Sequence, residues 1–188
     1  MANHSDVIII GGGIIGAASG YYLAQAGLKV RILDRGYLGS GSTVRCIGGI
    51  RQQFTSEGSI KLMMESVRLF GEMSEELGTD VHWPNGGYLF LAHDQQRKES
   101  FLQNIAIQRQ AGLQDVRWID AYECRQVAPG LDINGLLGGS YCPSDGQAYP
   151  FAVVNGYAQR IKQLGGQVST FAEVSDVIRT GGRVKGVR

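Results

Sequence analysis

Apolar positions fall into two kinds of stretch, short β-branched runs and longer segments with a helical period, and the two alternate along the chain. Val7 to Ile10 is an unbroken apolar run, the pattern of a buried parallel strand. Ala17 to Ala26 predicts a helix stopped by Gly27, and Lys29 to Leu33 predicts a second strand. Ile60 to Leu77 has helical period, with Ile60, Met63, Met64, Val67, Phe70 and Leu77 on one face. Asn85, Gly86 and Gly87 predict a turn before a strand from Tyr88 to Ala92. Arg97 to Ala111 predicts another helix, with Phe101, Leu102, Ile105 and Ala106 inward. Asp120 and Glu123 have capping-box spacing for a short helix to Ala128. Leu136 to Cys142 predicts a strand. Pro150 to Leu164 predicts a helix whose inward face is Val153, Val154, Tyr157, Ala158, Ile161 and Leu164. Gln167 to Thr170 predicts a strand, and Val174 to Arg179 with Arg183 to Val187 predict a hairpin about Gly181 and Gly182.

The first of these runs carries chemistry. Gly11, Gly13 and Gly16 have the GxGxxG spacing directly after a strand and before a helix, and Asp34 stands at the end of the next strand. That is the dinucleotide fingerprint in the context it requires. Gly11 permits the tight turn, Gly13 lets a pyrophosphate approach the backbone, and Gly16 lets the helix pack closely. Ile14 and Ile15 lie in the same turn, where free N–H groups and the helix dipole face the phosphates. Asp34 is placed to accept hydrogen bonds from ribose hydroxyls, and an acid there disfavours a 2′-phosphate.

Beyond Asp34, a loop rich in Gly and Ser runs from Arg35 to Thr43 and continues to Phe54. In open α/β sheets, ligands sit just outside the carboxyl ends of the strands. Ser40, Ser42 and Thr43 are candidate phosphate donors. Gly48 and Gly49 let backbone approach a flat ring, and Arg45 and Arg51 are the charges of interest. The competing reading is a flexible surface loop with solvated arginines.

The 18 basic and 17 acidic side chains leave a formal charge of +1, which offers no electrostatic footprint for nucleic acid. Three cysteines without a CxxC speak against a disulfide framework or a zinc site, so no metal is expected. Cys46 reads as a small buried residue in the loop. His4, His82 and His93 are scattered. No stretch has the length of an integral membrane segment, and only a few residues precede the first strand, so the expected location is cytoplasmic.

The ordered motifs resemble the D-amino-acid-oxidase-like (DAO) family of FAD-dependent oxidoreductases. The branch they are most similar to holds sarcosine oxidase β subunits, glycine oxidase and dye-linked proline dehydrogenase. The matching residues are Gly11 to Gly16 with Gly27, Val30 and Asp34; Gly39 to Thr43 with Gly49, Ile50 and Arg51; Gly87 to Ala92; Pro143 to Gly146 with Pro150; and Gly182 to Val187. The resemblance implies an α/β fold, with a Rossmann-like FAD-binding βαβ domain and an inserted α+β substrate domain, truncated at the C-terminus. Its domain boundaries fall as FAD-binding domain over 1–80, substrate-domain portion over 81–149, and a return to the FAD-binding domain over 150–188.

It further implies oxidation of the C–N bond of a sarcosine-, glycine- or proline-like amine or amino acid by hydride transfer to FAD. Arg51, with Arg45 nearby, matches the position of a basic residue beside the flavin ring. Asp34 stands where the family more often has Glu. The chain is also shorter than the family's usual length, so a C-terminal half or a hetero-oligomeric partner is expected to complete it. Residues 1–188 alone are expected not to form a competent flavoprotein. The alternatives are an NAD-dependent dehydrogenase domain, or a non-catalytic flavoprotein fragment or subunit.

Overall fold

The computed structural model describes residues 4–83 and 86–188. The chain begins with strand β1 (Val7–Ile10), helix α1 (Ile14–Gln25) and strand β2 (Val30–Leu33). A single 3-10 turn (Thr43–Arg45) precedes β3 (Gly49–Ile50), α2 (Glu57–Leu77), β4 (Tyr88–Ala92) and α3 (Gln95–Gln110). Then come β5 (Arg117–Ile119), α4 (Ala121–Val127), β6 (Gly138–Cys142) and β7 (Gly146–Gln147). The last elements are α5 (Pro150–Gln163), β8 (Gln167–Ser169), β9 (Val177–Thr180) and β10 (Arg183–Val187). They divide into two compact units. One holds Met1–Ile47, Glu75–Val81 and Tyr149–Arg188; the other holds Gly48–Ser74 and His82–Ala148.

The first unit is the α/β part. Its sheet has the order β1-β2-β8, all parallel, with Val7 opposite Val30 and Ile32 opposite Val168. Val30 and Ile32 are buried in it, as an apolar parallel strand requires. Helices α1 and α5 pack together through a bare patch on α1. A Cβ at Gly20 would lie 2.9 Å from the Ile32 Cδ1 and 3.1 Å from the Ile161 Cδ1, so a larger residue there would have to push these side-chain ends aside. Tyr21 and Tyr157 pack with their rings tilted by 42° and ring centres 5.4 Å apart, and the Tyr21 hydroxyl donates to Glu76 at 2.9 Å. β9 and β10 form the expected antiparallel hairpin, with a bulge between Val184 and Gly186.

The second unit is α+β. β4 and β5 both pair antiparallel with the central β6, and β3 pairs with β7. One core cluster gathers Ile60, Ile105, Leu113, Val116 and Cys142; another gathers Ile119, Cys124 and Leu136.

Several boundaries differ from the sequence expectation, each for a local reason. α1 begins at Ile14 rather than Ala17, because Gly13 sits extended at the N-cap and the chain turns directly into helix. α3 begins at Gln95, because the Asp94 carboxylate accepts the Arg97 N–H at 2.7 Å and caps the turn. On α3, Leu102 and Ala106 are exposed and Gln108 is buried instead, its side-chain amide donating to the Phe54 carbonyl at 3.0 Å. Leu164 lies beyond α5 as its exposed C-cap. β5 went unanticipated: Arg117, Trp118 and Ile119 are too short a run to show a period. The Asp120–Glu123 capping box forms as expected. Of the expected turn at 85–87, Asn85 lies outside the described residues; Gly86 and Gly87 both have positive φ.

Candidate functional site

Two polar constructions stand out, one in each unit. In the first unit the glycine turn is braced from several sides. Gly11 has φ +103°, a conformation that side chains rarely adopt, and its N–H donates to the Leu33 carbonyl at 2.8 Å. A Cβ on Gly16 would fall under 3.0 Å from the Gly11 carbonyl oxygen, so the third glycine answers the backbone of the turn itself. The Asp34 carboxylate accepts the Gly12 N–H on Oδ2 at 2.6 Å and the Gly36 N–H on Oδ1 at 2.8 Å. The Gly39 N–H donates to the Gly12 carbonyl at 2.9 Å, and the Ile14 N–H donates to Thr43 Oγ1 at 3.1 Å. Residues 36–43 are therefore laced onto the glycine turn, and this part of the chain is not a free surface loop.

A cavity of about 460 Å³ opens at the carboxyl ends of β1 and β2, its lining including Gly11, Asp34, Arg35, Ser40, Arg45 and Glu173. Nothing lies within 4 Å of a Cβ built on Gly11, and Thr43 Oγ1, at 3.2 Å, is the one neighbour of a Cβ on Gly13. Ile15 is 78% exposed over the same turn. The helix end has no side-chain cap from Gly13, and the N–H groups of Ile15 and Gly16 have no intrahelical acceptor. The result is an open cradle of N–H donors with a carboxylate and two arginines beside it, the donor set that a nucleotide diphosphate needs.

Gly11, Gly13, Ile14, Ile15, Gly16, Asp34, Arg35, Ser40, Ser42 and Thr43 all belong to this unit. Of the two arginines singled out as catalytic candidates, Arg45 is on the cavity wall here. Gly48, Gly49 and Arg51 belong to the second unit. Cys46, expected buried, is exposed, its thiol donating to the Thr43 carbonyl at 3.0 Å.

In the second unit, the Arg51 guanidinium carbon lies 5.0 Å from the Phe54 ring centre and 5.3 Å from that of Phe90. Among the described residues no carboxylate pairs with it. Behind it lies a fully buried carboxylate, Asp145, which accepts from the Gln52 backbone N–H at 2.8 Å and from both glutamine side chains. Burial pushes the Asp145 carboxyl above the ordinary range, while the Gln52 and Gln53 donors pull it back. Gln52, Gln53 and Ser140 form the polar cluster around this carboxylate. Of this cluster, only Asp145 lay within a matching motif, Pro143 to Gly146; Gln52, Gln53 and Ser140 carried no sequence signal. Cys142, in contact with Ser144 and Asp115, has its thiol pushed up to about 12 by burial, so it stays protonated and is no nucleophile.

A family profile described as FAD dependent oxidoreductase (DAO) matches residues 6–188. The chain belongs to that family. FAD is the family's cofactor, and the cradle in the first unit fits its ADP half on the geometry above. Family membership therefore selects FAD over the nicotinamide alternative.

The chain is 31% identical to the sarcosine oxidase β subunit of Rhodobacter capsulatus, over 97% of this chain and 45% of that protein. It is 30% identical to the glycine oxidase of Geobacillus kaustophilus, over 94% of this chain and 48% of that enzyme. The L-proline dehydrogenase from P. horikoshii superposes with a TM-score of 0.89 at 35% identity, covering all of this chain and 49% of that one. These are members of the branch expected from the motifs. The chain spans about half the length of the relatives it matches. The α/β fold with a Rossmann-like βαβ unit and an α+β insertion is the fold of this family. Among the described residues, no helix is long and apolar enough to cross a membrane.

Proposed function

We propose that the protein is an FAD-dependent amine or amino-acid oxidoreductase that takes a small sarcosine-, glycine- or proline-like substrate. The observation that carries the reading is the braced, open glycine cradle of the first unit, joined to family membership. In this reading the first unit is the FAD-binding domain and the second unit is part of the substrate domain. Bound FAD supplies a two-electron acceptor for hydride from the carbon next to the substrate nitrogen.

The residues divide the binding work. Gly13, Ile14, Ile15 and Gly16 offer backbone N–H groups and the helix dipole to the pyrophosphate. Asp34 accepts from the adenosine ribose with lone pairs that its two backbone bonds leave free. Arg35 and Arg45, with Ser40, Ser42 and Thr43, neutralise and hydrogen-bond the phosphate side of the cavity. Gly48 and Gly49 leave room for the flat ring. Arg51 acts at the reaction centre, where a cation stabilises the negative charge that reduction places on the ring. The chain spans about half the length of its relatives, one of which is named as a β subunit, and in this reading a partner chain or a further segment completes the site.

Two measurements test this reading. Gly13 has ordinary extended dihedrals and Thr43 alone close by, so Gly13→Val should leave folding intact. Its branched side chain would occupy the pyrophosphate position, and purified protein should lose most of its visible flavin absorbance. Full flavin occupancy in that variant would refute the placement of the phosphates. Arg51→Gln should slow flavin reduction by substrate in stopped flow by about a hundredfold while moving the unfolding midpoint little. A variant that reduces flavin as fast as the parent would remove Arg51 from the mechanism.

A further inference from the structure

The region behind Arg51 contains a fully buried carboxylate, Asp145, that takes three hydrogen bonds from the two residues after Arg51 and also faces the Cys142 thiol. β3 and β7 pair with Gly49 opposite Gln147 and Ile50 opposite Gly146, which carries Asp145 directly under the residues after Arg51. Asp145 Oδ1 accepts the Gln52 backbone N–H at 2.8 Å and the Gln52 side-chain amide at 3.0 Å. Oδ2 accepts the Gln53 side-chain amide at 3.1 Å. The same Gln53 amide donates to the Tyr88 carbonyl at 3.0 Å, while its Oε1 accepts the Ser140 hydroxyl at 2.6 Å.

The direction of each bond is constrained. A backbone N–H only donates and the Tyr88 carbonyl only accepts, so the Gln53 NH₂ must face both Tyr88 and Asp145. Asp145 is therefore required as an acceptor at both oxygens. Among the described residues no cation pairs with it. An anion buried among neutral donors is costly compared with an apolar group of the same size. A group that served packing alone would have no need of the charge. What the charge secures is the backbone and both side chains that immediately follow Arg51. The β3–β7 ladder secures the two residues before it. Phe54 and Phe90 then receive the guanidinium.

We propose that Asp145 is the positioning residue for Arg51: its carboxylate clamps Gln52 and Gln53, and this clamp holds the Arg51 guanidinium between Phe54 and Phe90. The consequence for turnover rests on the role given to Arg51 above; the placement itself does not.

The test uses the FAD-loaded full-length protein and reads placement separately from activity. Phenylglyoxal modification, followed by peptide mass spectrometry, reports how freely each arginine reacts. Asp145→Asn puts an amide NH₂ against donors and should raise modification of Arg51 about tenfold, with the other arginines unchanged. Gln53→Met, which removes one arm and keeps the aspartate, should give a smaller rise and stands in if Asp145→Asn fails to fold.

In stopped-flow flavin reduction, Asp145→Asn should slow the parent but add nothing to Arg51→Gln, because both remove the same interaction. An unchanged Arg51 modification rate in the aspartate and glutamine variants overturns the proposal, whatever the activity. So does a rate defect that multiplies with that of Arg51→Gln. A raised modification rate with Arg51→Gln at parental speed upholds the placement and overturns the catalytic role of Arg51.

Discussion

Gly16→Ala should destabilise the protein by about 2–3 kcal/mol before any cofactor is considered, and should empty the cofactor site as a consequence. The added methyl would lie under 3.0 Å from the Gly11 carbonyl oxygen and 3.2 Å from the Ile9 side chain. Neither neighbour can withdraw cheaply. Gly11 is held at φ +103° by its N–H bond to Leu33, and Ile9 is paired in β1 opposite Ile32. The first turn of α1 must then lift from the sheet, which breaks the Ile14–Thr43 bond and misaims the N–H groups. Gly13 meets only the end of a side chain, the Thr43 hydroxyl at 3.2 Å, and no backbone, so the two glycines of one motif should separate in experiment. Thermal unfolding of the apoprotein and flavin content of the purified protein are the two readouts. Gly16→Ala should lower both and Gly13→Val only the second. A Gly16→Ala protein with the parent's midpoint would show that the turn is softer than its hydrogen bonds imply.

That contrast also shows how far the sequence could be read. The fingerprint is local. A β-branched strand, three glycines and an acid at the next strand's end lie within one βαβ unit, so spacing alone places them together. The elements around it were legible for the same reason, because α2 and α5 carry a 3.6-residue period and the Asp120 capping box is a four-residue pattern. Tertiary polar contacts left no such trace. Asp145 and Gln52 are 93 positions apart, and a glutamine pair after an arginine reads as surface until the partner carboxylate is seen. On α3, Gln108 joins Ile105 inside while Leu102 and Ala106 stay out: an amide can be buried where the Phe54 carbonyl waits for it, and hydrophobic period cannot register that. Asp34 lies between the two cases. Its position was readable, but its bonds to Gly12 and Gly36 were not, since nothing in the spacing says that so short a side chain folds back on the turn.

Those two bonds change what should follow from removing Asp34. A ribose ligand alone would predict weaker FAD retention with folding untouched. The structure adds a second cost. Asp34→Ala strips the acceptor from the buried Gly12 N–H and from Gly36, and hydrogen bonds to a charged group are worth about 1.5–3 kcal/mol each, less where solvent reaches the pair. The apoprotein should therefore lose stability, and FAD affinity should fall further than the ribose contact alone accounts for, because the cradle is no longer pre-shaped.

Asp34→Asn sharpens the point. Its carbonyl oxygen can keep one of the two backbone donors, but its NH₂ then confronts the other, so its stability should fall between those of the parent and the alanine variant. Unfolding of the apoproteins, paired with FAD titration followed by flavin fluorescence, orders the three proteins. Parent, asparagine and alanine in descending order on both axes is the expected result. If Asp34→Ala weakens FAD binding while the apoprotein unfolds at the parent's midpoint, the carboxylate is a ligand only, and the brace it makes with Gly12 and Gly36 contributes nothing to the turn.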